Sequence, residues 1–99
     1  MFDIGASLRE AREKQRLTPA DVHRSLRIRE RYLTALEAEQ WELLPGDAYV
    51  KGFLRTYAEF LGLNGSLYVD ELNARIAALE EPRPHHRRRG LSRLFATAS

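Results

Sequence analysis

Residues 44–63, Leu-Pro-Gly-Asp-Ala-Tyr-Val-Lys-Gly-Phe-Leu-Arg-Thr-Tyr-Ala-Glu-Phe-Leu-Gly-Leu, constrain this chain most. They read as a single helix with a start signal, a stop signal and two unlike halves. Pro45 and Gly46 interrupt the segment before it, and Asp47 has the side chain of an N-cap. Gly62 stands where a helix wants a left-handed residue after its last turn, and Leu63 follows it to make the accompanying apolar contact. At 100° per residue, Tyr49, Val50, Phe53, Leu54, Tyr57, Ala58, Phe60 and Leu61 fill one half of the wheel. Lys51, Gly52, Arg55, Thr56 and Glu59 fill the other. Tyr57 lies near the middle of the apolar arc and is expected in the core. Tyr49, Phe53 and Phe60 lie toward one flank, beside Gly52 and Thr56, and form a candidate partner-binding surface.

A chain of 99 residues makes one small domain and at most a tail. A core of that size is marginal, and a helical bundle is the simplest way to build it. There is no cysteine, which removes disulfides, thiolate nucleophiles and zinc–cysteine sites and fits a reducing compartment. No run of eighteen apolar residues occurs, so the chain as given is not expected to span a membrane. Its start lacks the basic and apolar regions of a signal peptide. The net charge of +2 conceals an asymmetry. Residues 82–99 hold five arginines and no acid, whereas residues 1–81 hold eleven basic against fourteen acidic side chains, a net −3. The expected body is therefore mildly acidic and the tail basic, the reverse of a domain that carries its positive charge on a folded surface.

Apolar spacing over Ile4, Leu8 and Ala11 predicts a first helix over about 3–15. Thr18-Pro19-Ala20-Asp21 is a capping signal for a short second helix ending near Ser25, with Val22 inward. A third helix is expected from about Arg29 to Glu39, burying Leu33 and Leu36 with Tyr32 alongside. Trp41, Leu43 and Leu44 are expected to pack the connection to the aromatic fourth helix, Trp41 as core or as a lid. Asn64 caps a fifth helix with the stripe Tyr68, Leu72, Ile76 and Leu79. Pro82 and Pro84 end regular structure. The expected fold is all-α, a five-helix bundle over 1–81 followed by a disordered basic tail over 82–99.

Helices two and three have the size of a helix-turn-helix, whose second helix enters the major groove by its N-terminal end. Here that end supplies Arg27, Arg29 and Arg31, which suit guanine or phosphate. Glu30 and the acidic body oppose a polyanion, and the alternative is a solvated helix end with local Arg–Glu pairs. His23 reads as a surface residue. His85 and His86 are adjacent, a poor geometry for one metal, and no metal or cofactor is expected. Paired carboxylates, a nucleophile beside a base and a phosphate-cradling glycine loop are all missing, so no enzyme is expected.

Ile4-Gly5-x-x-Leu8-Arg9-x-Ala11-Arg12-Glu13, Leu17-Thr18, Ile28-Arg29-x-Arg31-Tyr32-Leu33-x-Ala35-Leu36-Glu37 and Leu44-Pro45 resemble the cytoplasmic domain of the RodZ family of bacterial cell-shape proteins. Tyr49-Val50-Lys51-Gly52-Phe53-Leu54-Arg55-x-Tyr57-Ala58-x-Phe60-Leu61-Gly62-Leu63 extends the match and is its most specific part. The resemblance covers about residues 3–80. It implies a five-helix, Cro-like helix-turn-helix domain that joins a basic juxtamembrane stretch to a transmembrane helix. It also implies binding of the bacterial actin MreB, so that the filament is tethered at the cytoplasmic face of the inner membrane. In the family an aromatic pair on the fourth helix serves that contact, and the matching positions are Tyr49 and Phe53. Gly52 would then admit a close backbone approach, and Lys51 and Arg55 would pair with an acidic filament surface. The family's transmembrane helix is absent from this sequence. Arg87, Arg88, Arg89 and Arg93, with Leu91, Leu94 and Phe95, would suit an anionic membrane surface; the alternative is a solvated tail.

Overall fold

The computed structural model describes residues 2–79, and their regular structure is entirely helical. The helices are α1 (Ile4–Lys14), α2 (Pro19–Leu26), α3 (Glu30–Glu37), α4 (Asp47–Phe60) and α5 (Gly65–Leu79), with a 3-10 turn at Trp41–Leu43 before α4. The expected five-helix bundle with its helix-turn-helix is therefore present. The basic tail, with Arg87, Arg88, Arg89 and Arg93, and the pair His85 and His86 lie outside the described residues.

Local chemistry sets most of the helix ends. Asp3 caps α1 by accepting from the Ala6 N–H at 3.1 Å. Thr18 and Asp21 form a reciprocal capping box at α2: the Thr18 hydroxyl accepts from the Asp21 N–H, and the Asp21 carboxylate accepts from the Thr18 N–H. Those bonds hold the Asp21 carboxyl below its ordinary value of 3.8, the Thr18 backbone N–H first and its hydroxyl second. A depressed carboxyl supplies stability that is complete above the unfolded value and lost as pH falls through the folded one. Asp21→Ala is accordingly expected to lower the melting temperature at neutral pH. It should also show a shallower loss than the parent between about pH 5 and about pH 3, as thermal melts across that range would record.

α1, α3 and α4 each end in a paired hydrogen-bond closure with a left-handed residue: Arg16 (φ 58°), Glu39 (φ 57°) and Gly62 (φ 84°). At α4 the Leu63 N–H reaches the Ala58 carbonyl at 2.9 Å and the Gly62 N–H reaches that of Glu59 at 3.0 Å, as the glycine predicts. Asn64 caps α5 through its side chain, which accepts from the Leu67 N–H at 3.2 Å.

The core joins Ile4 and Leu8 of α1, Val22 of α2, Leu33 and Leu36 of α3, Val50, Leu54, Tyr57 and Ala58 of α4, and Tyr68, Leu72 and Ile76 of α5. Trp41 and Leu44 close it between α3 and α4. α4 and α5 share the most extensive helix contact, and α1 and α2 both pack on α3.

Four expectations are corrected. Leu43 is 55% exposed, because three residues per turn put Trp41 and Leu44 on the inner side and Leu43 between them on the outer one. Leu79 is 51% exposed, the covered stripe of α5 ending at Ile76. α4 takes Gly46 as its N-cap residue, one position before Asp47, with the Gly46 carbonyl accepting from the Tyr49 N–H at 3.0 Å. His23 is half-buried, and its Nδ1 bonds the Ile28 carbonyl at 2.9 Å, closing the turn between α2 and α3.

Candidate partner-binding site

The site begins with a buried carboxylate. Glu37, near the end of α3, takes a two-pronged contact from Arg12 of α1, Nε to Oε2 at 2.7 Å and Nη2 to Oε1 at 3.1 Å. The side chains of Arg12 and Glu37 keep only 12% and 10% of their exposure. Arg12 also donates to the Leu17 carbonyl at 2.8 Å. The Tyr57 hydroxyl of α4 donates to the same Glu37 carboxylate. Burial, and then this bond, push the Tyr57 hydroxyl well above its ordinary pKa, so it stays a donor across the physiological range. One carboxylate thus fixes the seating of α1, α3 and α4.

That seating places the aromatic rings. One turn before Tyr57, Phe53 lies against Tyr32 of α3, with ring centroids 6.0 Å apart and planes 25° apart. Another turn earlier, Tyr49 lies against Phe53 at 5.5 Å and 37°. At the far end the Arg31 guanidinium carbon sits 5.2 Å from the centroid of the Tyr32 ring. Arg31, Tyr32, Phe53 and Tyr49 therefore form a continuous ladder from the N-terminus of α3 to that of α4. Tyr32 and Phe53 are half-buried, while Tyr49 is 53% exposed.

The other expected contact residues are spread around α4. Phe60 is half-buried three turns beyond Tyr49 and makes no ring contact with the ladder. Gly52 is exposed, and a Cβ built there would meet nothing within 4 Å. Arg55 reaches toward α5, pairing with Glu59 at 3.4 Å and Ser66 Oγ at 3.5 Å. Lys51 is exposed on that same side of α4. The structure thus brings Tyr49 and Phe53 together and directs Lys51 and Arg55 away from them. Tyr32 and Arg31 complete the ladder, but periodicity could place Tyr32 only alongside its helix. The contact that joins it to Phe53 crosses between two helices and leaves no mark in either one's spacing.

Arg27, Arg29 and Arg31 are all exposed around the turn between α2 and α3. Arg27 closes α2 in the left-handed region at φ 63°, and Arg29 occupies the N-cap position of α3 without a side-chain cap bond. Among the described residues neither has an ion-pair partner, and Arg31 has the Tyr32 hydroxyl as its one hydrogen-bond partner, at 3.4 Å. Among the described residues no cluster of His, Asp or Glu is placed to hold a metal ion. No described helix is long and apolar enough to cross a membrane.

A family model described as a helix-turn-helix domain matches residues 7–67, from the middle of α1 into the start of α5. The chain is also similar to the uncharacterized membrane protein YmfM of Bacillus subtilis strain 168, with 39% identity over 51 residues. That alignment covers 52% of this chain and 18% of the relative, so the chain corresponds to a minor part of the longer protein. No solved structure matches. The match over residues 7–67 takes in all of α2, α3 and α4, and on it the chain belongs to the helix-turn-helix domain family.

Proposed function

We propose that this domain is a non-catalytic adaptor in bacterial cell-shape control, of the RodZ type. It binds an MreB-like actin filament through the ladder face and holds it at the inner membrane. The observation that carries this reading is the exposed Tyr49 ring lying against the half-buried Phe53 ring at the α3–α4 junction. A surface aromatic at the edge of a rigid core has the composition of an interface hot spot. Similarity to a membrane protein supports a membrane setting. On this reading residues 1–81 form the binding domain, and residues 82–99, with Arg87, Arg88, Arg89 and Arg93, are a basic stretch suited to an anionic inner leaflet.

Co-sedimentation of the 99-residue chain with MreB filaments tests the reading. Saturable binding is expected, weakened at least about tenfold by Tyr49→Ala with Phe53→Ala while the helical circular dichroism is kept. A well-folded parent chain that stays in the supernatant would sink the adaptor reading.

Gly52 offers a second check with opposite signs. Since no atom of the described residues opposes a methyl there, Gly52→Ala should raise stability by about 1 kcal/mol in a urea titration. If the filament backbone comes close at this position, the same variant should bind it more weakly.

The second reading, a sequence-specific DNA-binding regulator, is favoured by one observation: Arg27, Arg29 and Arg31 stand exposed at the helix-turn-helix, with no carboxylate partner among the described residues. It predicts duplex affinity that falls steeply with salt and is lost when the three arginines are replaced.

A further inference from the structure

Lys51 and Arg55 each lie two residues from Phe53, which at 100° per residue turns them about 160° away from it. The bond from Arg55 to Ser66 of α5 agrees with that direction. The cations of α4 therefore point away from the face on which Tyr49 and Phe53 stand. The cation that stands next to the rings is Arg31 of α3. Arg31 lies over Tyr32, and Tyr32 lies 6.0 Å from Phe53. Arg29 is exposed two residues earlier.

These cations are unspent. Arg12, Arg24, Arg55 and Arg75 each have a carboxylate within ion-pair distance, whereas among the described residues Arg29 and Arg31, like Lys51 of α4, have none. Glu30, exposed between them, occupies the first position of α3, where a carboxylate complements the helix dipole. A partner of ordinary interface size covers about 800 Å² on each side, a patch of about 16 Å radius. Centred on Phe53, such a patch takes in Tyr32 and Arg31.

We infer that the surface docking on this face is an acidic protein surface, whose carboxylates are met by Arg31 while an adjoining apolar spot is covered by Tyr32, Phe53 and Tyr49. The inference rests on Tyr49 and Phe53 being the docking pair and moves the interface charge from α4 to α3. A protein fits better than a nucleic acid for two reasons. The ring of Phe53 is already flanked by Tyr32 and Tyr49, so its faces are not free to stack on bases. The net −3 of residues 1–81 also repels a polyanion over its whole length, but not a partner that presents acid only locally.

The test is binding of the 99-residue chain to purified MreB filaments at low and high salt. Arg31→Glu is expected to weaken binding at least about tenfold and to flatten its salt dependence, with Arg31→Gln intermediate. Arg55→Glu should stay within about twofold of the parent. Because Arg31 is exposed and among the described residues holds only the surface contact with Tyr32, both Arg31 variants should keep the parent's circular dichroism and show at most a small loss of stability. Parent-like binding by Arg31→Glu, or a loss confined to Arg55→Glu, would overturn the inference. So would duplex DNA binding that vanishes in Arg31→Glu while filament binding is untouched. If the Tyr49/Phe53 double alanine weakens binding and Arg31→Glu does not, only this charge assignment falls. If the double alanine has no effect, or the parent does not bind, the docking reading falls with it.

Discussion

Glu37→Ala is expected to cost the bundle about 3–5 kcal/mol, because it leaves the Arg12 guanidinium nearly buried beside a cavity with no carboxylate to meet it. A domain of about 80 residues has only about 4–12 kcal/mol of stability in all, so this variant should be close to unfolding at room temperature. The loss measures an orphaned charge rather than the net worth of the pair. Replacing the whole cluster with apolar groups, as Arg12→Met with Glu37→Leu and Tyr57→Phe, should therefore recover most of it. Urea titration of the single and triple variants distinguishes the two. Equal instability in both would mean that the ion pair itself holds α1, α3 and α4 together. Tyr57→Phe alone removes one hydrogen bond and should cost about 1 kcal/mol.

Gly5→Ala is expected to cost about 3 kcal/mol, although alanine is the better helix former by about 1 kcal/mol. The steric effect outweighs the propensity here because a Cβ on residue 5 would lie 2.0 Å from the Glu37 carbonyl oxygen and 2.7 Å from its carbon. Those are backbone atoms of α3 that no rotamer change can move aside. α1 would have to retreat from α3, stretching the Arg12–Glu37 contact and the bond from the Gly5 N–H to Glu39 Oε2, now 2.9 Å. Thermal and urea unfolding of Gly5→Ala beside Gly52→Ala makes the point: the same substitution should destabilise at the buried crossing and stabilise at the exposed site.

The ends and inward faces of the helices were legible where a residue type has one dominant physical role. Thr18-Pro19-Ala20-Asp21 could start only a helix, and Gly62 could end α4 only by turning left-handed, as observed. The apolar arc of α4 placed Tyr57 in the core correctly. Helix ends made by unsuitable residues were not legible. Arg16, Arg27 and Glu39 adopt positive φ where glycine or asparagine would be expected, and nothing in their type announces it. At Glu39 the strain is offset by side-chain bonds to the Gly5 N–H and to Arg75, at 2.6 Å in the latter case.

The polar cluster around Glu37 was invisible for a different reason. Arg12, Glu37 and Tyr57 are separated by 25 and 20 positions, and periodicity within one helix says nothing about which side chains meet between helices. The candidate site was legible to the same extent. Tyr49 and Phe53 could be read from one wheel, whereas Tyr32 and Arg31 belong to another helix and joined the site only when α3 and α4 were packed together.

Site-specific photocrosslinking tests the docking face most directly. A benzophenone side chain at position 49 replaces an aromatic with an aromatic, and one at position 67 marks Leu67, equally exposed but on α5. With MreB filaments present, crosslinks should form from position 49 and not from position 67. Crosslinks from position 67 with none from position 49 would contradict the account and place the partner on α5.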